Sequence, residues 1–548
     1  MEAWDVVVVG ATIAGMRAAI AAHDDGANVV ILSAHGLGNS GSDNYSSGIA
    51  ASLNESNSIS HRDDTIKGGD WLNDQDIVFK RTSLINAHIA ELDQWGLNFR
   101  RSLSGSPESE RGLGHKSPRV LTTGHSTARE VQHILEEQCI RRNIMRRGDW
   151  LALSLSNSNN QVTGIVGLDM IEGTVEALQA KAVIIADNGF ENAWNPGHGT
   201  SRGLSIALDA GCQLRDLEFI SWNPLGVPDT ELSLTLDILQ NGGKLTTSSG
   251  AEINIGPETT PNDLAYEINN GGGMALLDAT SLNKSAIKWY SGLSREVKNR
   301  TGLLMSEQLI PVSPKVEQTV GGLPVDEHGR VIKANWDTWY TGLYSAGGAS
   351  CSGLNGTGII AGNRIMEDII GGSSAGMHAG KWVKDRSFSG TKSLEDNMFS
   401  AQANIADLIS NASVNNTSNV NKISSKLCDI IKSKMGFERS LEGLEEATIS
   451  LENLEREIVE ENLIDNNMIM NTNLAEIIEL RGLISVTRAS IVAAISRAES
   501  RGSHQRTDIQ ERFDDTMLKH TLVDSTLQVN WLPLRKSASG TWILTPSN

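Results

Sequence analysis

The chain has 548 residues, 39% of them hydrophobic, more apolar material than one core holds, so about two to four domains are expected. A formal charge of −19 repels phosphate backbones and argues against nucleic acid as a partner. Cys139, Cys212, Cys351 and Cys428 lie far apart, without CxxC or Cys/His spacing. That pattern argues against a zinc site or an iron–sulfur cluster held by this chain alone, and it fits reduced thiols in a cytosolic protein.

From the N-terminus, acids at Glu2 and Asp5 lead straight into a strand pattern, which is unlike a signal peptide. No apolar run approaches the ~20 residues of a membrane helix, so membrane association is expected only through partners. Asp5 to Val9 is a continuous apolar run, as for a strand covered on both faces. Gly10-Ala11-Thr12-Ile13-Ala14-Gly15 makes a tight turn, Met16 to His23 continues as an Ala-rich helix, and Asn28 to Leu32 is a second strand. This is the opening of a doubly wound α/β nucleotide fold.

A further buried strand, Ala182 to Ala186, ends at Asp187-Asn188-Gly189, and a Gly-rich stretch runs from Leu343 to Gly362. Residues between about 226 and 330 are less regular and suit an inserted domain. Residues 388–425 are rich in Ser and Asn and read as a surface connection. Leu444, Ala447, Leu451, Leu454 and Ile458 form one stripe of an amphipathic helix, and residues 473–497 read as a second long helix.

In a dinucleotide turn the first glycine makes the bend, the second admits the pyrophosphate and the third lets the helix pack on the strand. Gly10 and Gly15 fill the first and third positions, and Thr12 stands in the second. A side chain there crowds the phosphates, or its hydroxyl donates to one. Ser33 replaces the acid that ends the second strand, which weakens one ribose contact. The motif alone fits either nucleotide binding or a Rossmann-like unit that has lost its ligand.

Further segments resemble the succinate dehydrogenase/fumarate reductase flavoprotein (A) subunit family almost from end to end. Leu32-Ser33 and Ser47 to Leu53 are similar to its LLSK…QGGI(S/A)A, and Asp64 to Asp70 with Asp74-Gln75-Asp76 to its DTVKGSD…DQD. Thr123-Gly124-His125 matches TGH; Thr319 to Pro324 resembles HYTMGGIP; Leu343 to Gly347 resembles LYAAGE. Glu499 to His504, Glu511-Arg512 and Leu518 to Thr521 follow ESRGAH…ER…WLKHT.

The resemblance implies an FAD-binding domain with an inserted α+β capping domain, a helical domain and a small C-terminal domain. On this chain they fall at 1–225 and 331–387, 226–330, 426–515 and 516–548, with 388–425 as linker. It implies FAD held by Gly10, Ala11, Thr12, Gly15, Ser33, Ser47, Gly48, Ala186, Gly189 and Gly347. It also implies an iron–sulfur B-type partner, and a cytoplasmic chain placed peripherally on the cytoplasmic membrane through partner subunits. The C-terminal signature and the helices at 444–497 are expected to form the docking side for that partner.

Departures from the family fall on the chemistry. The covalent flavin histidine aligns with Gly41, so the FAD is expected to be noncovalent. The two substrate histidines align with Asn223 and Glu317, the substrate arginine with Ile359, and the proton-shuttle arginine with Asn262. Of the cap's Thr-Glu pair, Thr235 remains and Leu236 replaces the acid. Arg202, Gly348 and Arg364 replace flavin-proximal residues, and the two arginines are candidates to rebuild an anion site for a different substrate or to bind the FAD phosphates, or else to face solvent or pair with local acids. His35, His61 and His115 read as structural or exposed. The expectation is an FAD-dependent oxidoreductase subunit with a degenerate dicarboxylate site; the alternative is a non-catalytic structural paralogue.

Overall fold

The computed structural model describes residues 1–38, 46–197, 200–412 and 418–547. The chain opens on strand β1 (Glu2–Val9), helix α1 (Ile13–Asp24) and strand β2 (Val29–Leu32). Val6 to Val9 are buried, which is why they read as a run without alternation. They pair in parallel with Val29 to Leu32. Strands β3 (Met145–Arg147), β4 (Trp150–Ser158), β5 (Gln161–Asp169) and β6 (Thr174–Ile185) follow, then the short helix α2 (Arg202–Asp209).

The cap region contributes β7 (Ile220–Gly226), β8 (Lys244–Thr247), α3 (Pro261–Asn270), β9 (Ala275–Asp278) and β10 (Ile310–Thr319). The chain returns to the first sheet with β11 (Arg330–Ile332) and β12 (Trp339–Ser345). Helices α4 (Asn363–Val383), α5 (Lys392–Ser410), α6 (Val420–Lys434), α7 (Leu441–Val459) and α8 (Thr472–Ser496) come next. The hairpin β13 (Lys519–Val523) and β14 (Val529–Pro533) closes the chain.

The main sheet runs β11-β12-β5-β6-β1-β2-β3, with β4 hairpinned onto β5. Strands β12, β6, β1, β2 and β3 are mutually parallel. Helix α4 lies on α1 at very short range. Gly372, Gly376 and Gly380, one per turn, face the backbone of Ala14, Ala18 and Ala22, and a Cβ on Gly376 would stand 2.0 Å from the Ala18 carbonyl oxygen. Only glycine admits that approach.

The cap sheet runs β7-β10-β9-β8, antiparallel throughout. Its core holds Leu225, Leu264, Leu277, Tyr290 and Val312. In α7 the predicted stripe from Leu444 to Ile458 is buried. Residues of every face of α8 are buried, so α8 is a core helix rather than an amphipathic one.

Residues 388–425 differ from the connection expected of their Ser and Asn content. They carry helix α5, which packs Leu394 and Ile405 into apolar clusters. Burial of one apolar stripe outweighs the poor helix propensity of the rest.

Candidate functional site

Strands β1, β6 and β12 end side by side, and the loops at their carboxyl ends form the crevice where a doubly wound sheet takes its ligand. Gly10 turns the chain with φ +108°, and a Cβ there would stand 2.5 Å from the Ala186 oxygen. A Cβ on Gly15 would stand 1.9 Å from the Gly10 oxygen. Ala11 is buried beside them. Gly347, at φ +70°, meets Ala14, and Gly189 meets Gly348. The structure thus gathers Gly10, Ala11, Thr12, Gly15, Ala186, Gly189 and Gly347 at one crevice. Ser33, at the end of β2, spends its amide on the Arg147 oxygen at 2.9 Å and its carbonyl on the Trp150 amide at 2.8 Å.

Thr12 departs from the phosphate-donor option. Its hydroxyl donates to the Ala186 oxygen at 2.5 Å and accepts from the Gly15 amide at 3.1 Å, so it caps α1 and ties the turn to β6.

The positions that align with the family's substrate residues form a second group, together with Ser47 and Gly48. Asn262 accepts from the Trp222 amide at 2.8 Å and donates to the Ile220 oxygen at 3.4 Å, stapling α3 to β7. Asn223 accepts from the Leu225 amide at 2.7 Å. Ile359 is buried with Leu72, Phe219 and Val320. Thr235 hydrogen bonds Asp237. Glu317 accepts from the Ser46 amide at 2.8 Å and from the Ser46 hydroxyl. Burial raises the Glu317 pKa against the pull of those hydrogen bonds.

Glu317, Ile359 and Arg364, with Ser47, Gly48 and Leu236, line a cavity of about 10 Å³, whereas Thr235 and Glu317 also line a separate cavity of about 710 Å³ with Arg129, Arg300 and Lys315. One water needs roughly 10–15 Å³. The smaller cavity has no room for a dicarboxylate, and Arg364 is the one cation in its lining among the described residues.

Neither arginine rebuilds an anion site. Arg202 turns away from the crevice, donating to the Ala152 and Leu153 oxygens at 2.8 and 2.7 Å. Arg364 is buried and pairs with Asp368 at 3.2 Å. His61 and His115 are buried and structural. His61 bonds Ser52 at 3.0 Å and Asn363 at 2.8 Å, and desolvation pushes it down to about 3. His115 bonds the Ala361 oxygen at 2.7 Å and is likewise lowered, first by burial. Gly41, the expected mark of noncovalent flavin, lies outside the described residues.

Several charged side chains of the C-terminal signature and its flank are buried, while Thr507, Asp508, Glu511 and Phe513 of the same segment are exposed. Arg497, Glu499, His504 and His520 are each 0% exposed. Arg497 pairs with Glu218 at 2.6 Å and Glu499 at 3.0 Å, and Glu499 also holds Arg501 at 2.8 Å. His520 sits 2.6 Å from Asp216 and 3.4 Å from Asp74, and Arg215 lies 3.2 Å from Asp74. These side chains tie the tail to Asp74, Asp216 and Glu218.

The His520 ring loses solvation, but Asp216 and Asp74 more than offset that and its pKa is raised. Both acids are held below the usual range, with the His520 charge opposing their burial. A raised folded-state pKa stabilises fully below the unfolded value of about 6.5, and the benefit fades as pH rises through the folded value. The stability gap between wild type and His520→Asn is therefore expected to be largest below that unfolded value and to narrow toward alkaline pH. Urea midpoints across neutral pH check this; a pH-independent gap contradicts it.

Residues 5–365 match the family model described as FAD binding domain, and residues 424–540 the model described as fumarate reductase flavoprotein C-term. The fumarate reductase flavoprotein subunit of Mycobacterium tuberculosis is 28% identical over 571 aligned positions, covering 97% of both chains. The succinate dehydrogenase flavoprotein subunit of Rickettsia bellii is 26% identical, covering 95% of this chain and 92% of its own. A mutant FrdA of E. coli quinol fumarate reductase superposes with a TM-score of 0.91 at 25% identity, covering 100% of this chain and 99% of that one.

The fold and crevice define an FAD-binding flavoprotein of the doubly wound class. The chain belongs to the family of FAD-dependent succinate dehydrogenase/fumarate reductase flavoprotein subunits. Its relatives are subunits of larger assemblies by name. No helix among the described residues is long and apolar enough to cross a membrane.

FAD fits one half of this crevice as described. The glycine-lined turn leaves backbone open to the ADP portion, whereas Arg364 and its acids stand at the ends of β6 and β12.

Proposed function

We propose that this chain acts as an FAD-dependent oxidoreductase subunit of the succinate dehydrogenase/fumarate reductase type, with noncovalent FAD and without a working dicarboxylate site. The single observation that carries the reading is the glycine crevice at the ends of β1, β6 and β12, set in a fold that superposes end to end on a fumarate reductase flavoprotein. Gly10, Ala11, Thr12, Gly15, Ala186, Gly189 and Gly347 form the nucleotide cradle, and the N-terminus of α1 presents its amides to the pyrophosphate. When bound, FAD supplies two-electron transfer. This chain's residues position the cofactor and exclude water from it. Electrons pass to or from an iron–sulfur B-type partner. The names of the relatives and the end-to-end fold support that pairing. The location that follows is cytoplasmic, peripheral to the membrane through partners.

Equilibrium dialysis against increasing FAD is expected to saturate at one flavin per chain. Acid precipitation is then expected to release all of it to the supernatant. Yellow colour in the pellet contradicts noncovalent binding, and failure to saturate contradicts the FAD assignment.

A further inference from the structure

Arg364 is the second residue of α4 and is 5% exposed. Its Nη2 lies 2.9 Å from where a Cβ on Gly348 would stand, in the loop after β12, and the same point is 2.9 Å from Asn188, in the loop after β6. The side chain therefore spans the carboxyl ends of two parallel strands, where an open α/β sheet takes its ligand. Asp368, one turn along α4, holds Nε at 3.2 Å. Acids face the arginine from two further elements: Glu191 follows β6, and Glu317 lies on β10. Gly348 is the complement of this arrangement, since any side chain there meets the guanidinium. The adjoining cavity of about 10 Å³ is far below the roughly 300–1,000 Å³ of small-molecule sites.

The crevice thus has two unlike ends. At Gly10 and Gly15 close backbone contacts keep a nucleotide turn free of side chains. At Gly348 a buried cation and its acid occupy the crevice.

We propose that Arg364 is a plug in the ring compartment, latched by Asp368. The flavin ring enters only when Arg364 leaves, so this residue sets the affinity for FAD but not for the ADP portion, and the chain is stable without flavin. This rests on the flavoprotein reading for the identity of the ligand.

The test compares FAD and ADP binding, by equilibrium dialysis, in wild type, Arg364→Ser and Arg364→Gln, with circular dichroism to confirm folding. A closed state populated ~90% or more weakens apparent affinity about tenfold or more. Arg364→Ser is therefore expected to bind FAD at least about tenfold more tightly, with ADP unchanged. Equal FAD affinity in folded variants and wild type overturns the proposal, as does wild type that purifies with stoichiometric flavin. Should neither variant fold, wild type alone decides: FAD no tighter than ADP supports the plug, and FAD much tighter than ADP overturns it. Tight, equal binding by every form sinks the plug and leaves the flavoprotein reading standing, whereas no FAD binding by any form sinks both.

Discussion

Arg497→Met is expected to destabilise the protein by about 3–5 kcal/mol, the cost of stranding buried charge by removing one partner. Arg497 is 0% exposed and joins Glu218 and Glu499, and it also donates to the Met517 and Lys519 oxygens at 3.0 and 2.8 Å. Methionine keeps the bulk and removes every donor. Glu499 retains Arg501, and Glu218 retains the Thr521 hydroxyl at 2.9 Å and its own backbone amide but no cation paired with its carboxylate among the described residues. Burial already raises the Glu218 pKa, with Arg497 opposing, so the variant raises it further. An acid with a raised folded-state pKa loses stability as pH climbs toward that value. The deficit is therefore greatest at neutral pH and shrinks as pH falls and Glu218 takes up its proton. Urea unfolding of wild type and variant at neutral and mildly acidic pH measures both features. A variant as stable as wild type at neutral pH removes the network from the account of the fold.

Succinate oxidation and fumarate reduction are expected to be negligible. Each charge-assisted hydrogen bond missing from a buried carboxylate costs about 1.5–3 kcal/mol, and several are missing together. Asn262 cannot act as a general acid, which removes a factor of about 10²–10⁴ in rate. Asn262 is also committed to the backbone of β7, and Ile359 to an apolar cluster, so neither is one substitution away from its family role. Asn262→Arg, Ile359→Arg and Glu317→His are each expected to leave turnover absent. The family's binding and proton-transfer side chains are both replaced, and the cavity between Glu317, Ile359 and Arg364, about 10 Å³, admits neither acid. Steady-state assays of the three variants check this; turnover restored by any one of them contradicts it.

The frame of the fold was legible because it rests on local pattern. The Val6 to Val9 run, the Gly10 and Gly15 spacing and the α7 stripe each encode their element directly. What stayed hidden depends on pairs distant in sequence. Helix α5 does carry a signal, with Leu394, Met398, Ala401 and Ile405 on one face, but Ser and Asn content masks it. The Gly372, Gly376 and Gly380 ladder has meaning only against the backbone of α1. The internal ties of the C-terminal signature are hidden in the sequence, because Arg497 joins Glu499 to Glu218 across 279 positions. Arg364 was visible as a new charge, but its direction is set by Gly348 and Asp368 and shows only in three dimensions.

The central claim is a flavoprotein subunit whose dicarboxylate chemistry is gone while its nucleotide cradle remains. It is tested most directly by loading the protein with excess FAD, reducing the bound flavin chemically under anaerobic conditions, and mixing with fumarate while following flavin absorbance. The account predicts that the flavin stays reduced with fumarate present and reoxidises once oxygen is admitted. Rapid reoxidation by fumarate contradicts it, and loss of that reaction in Arg364→Ala would identify the arginine as a rebuilt dicarboxylate site.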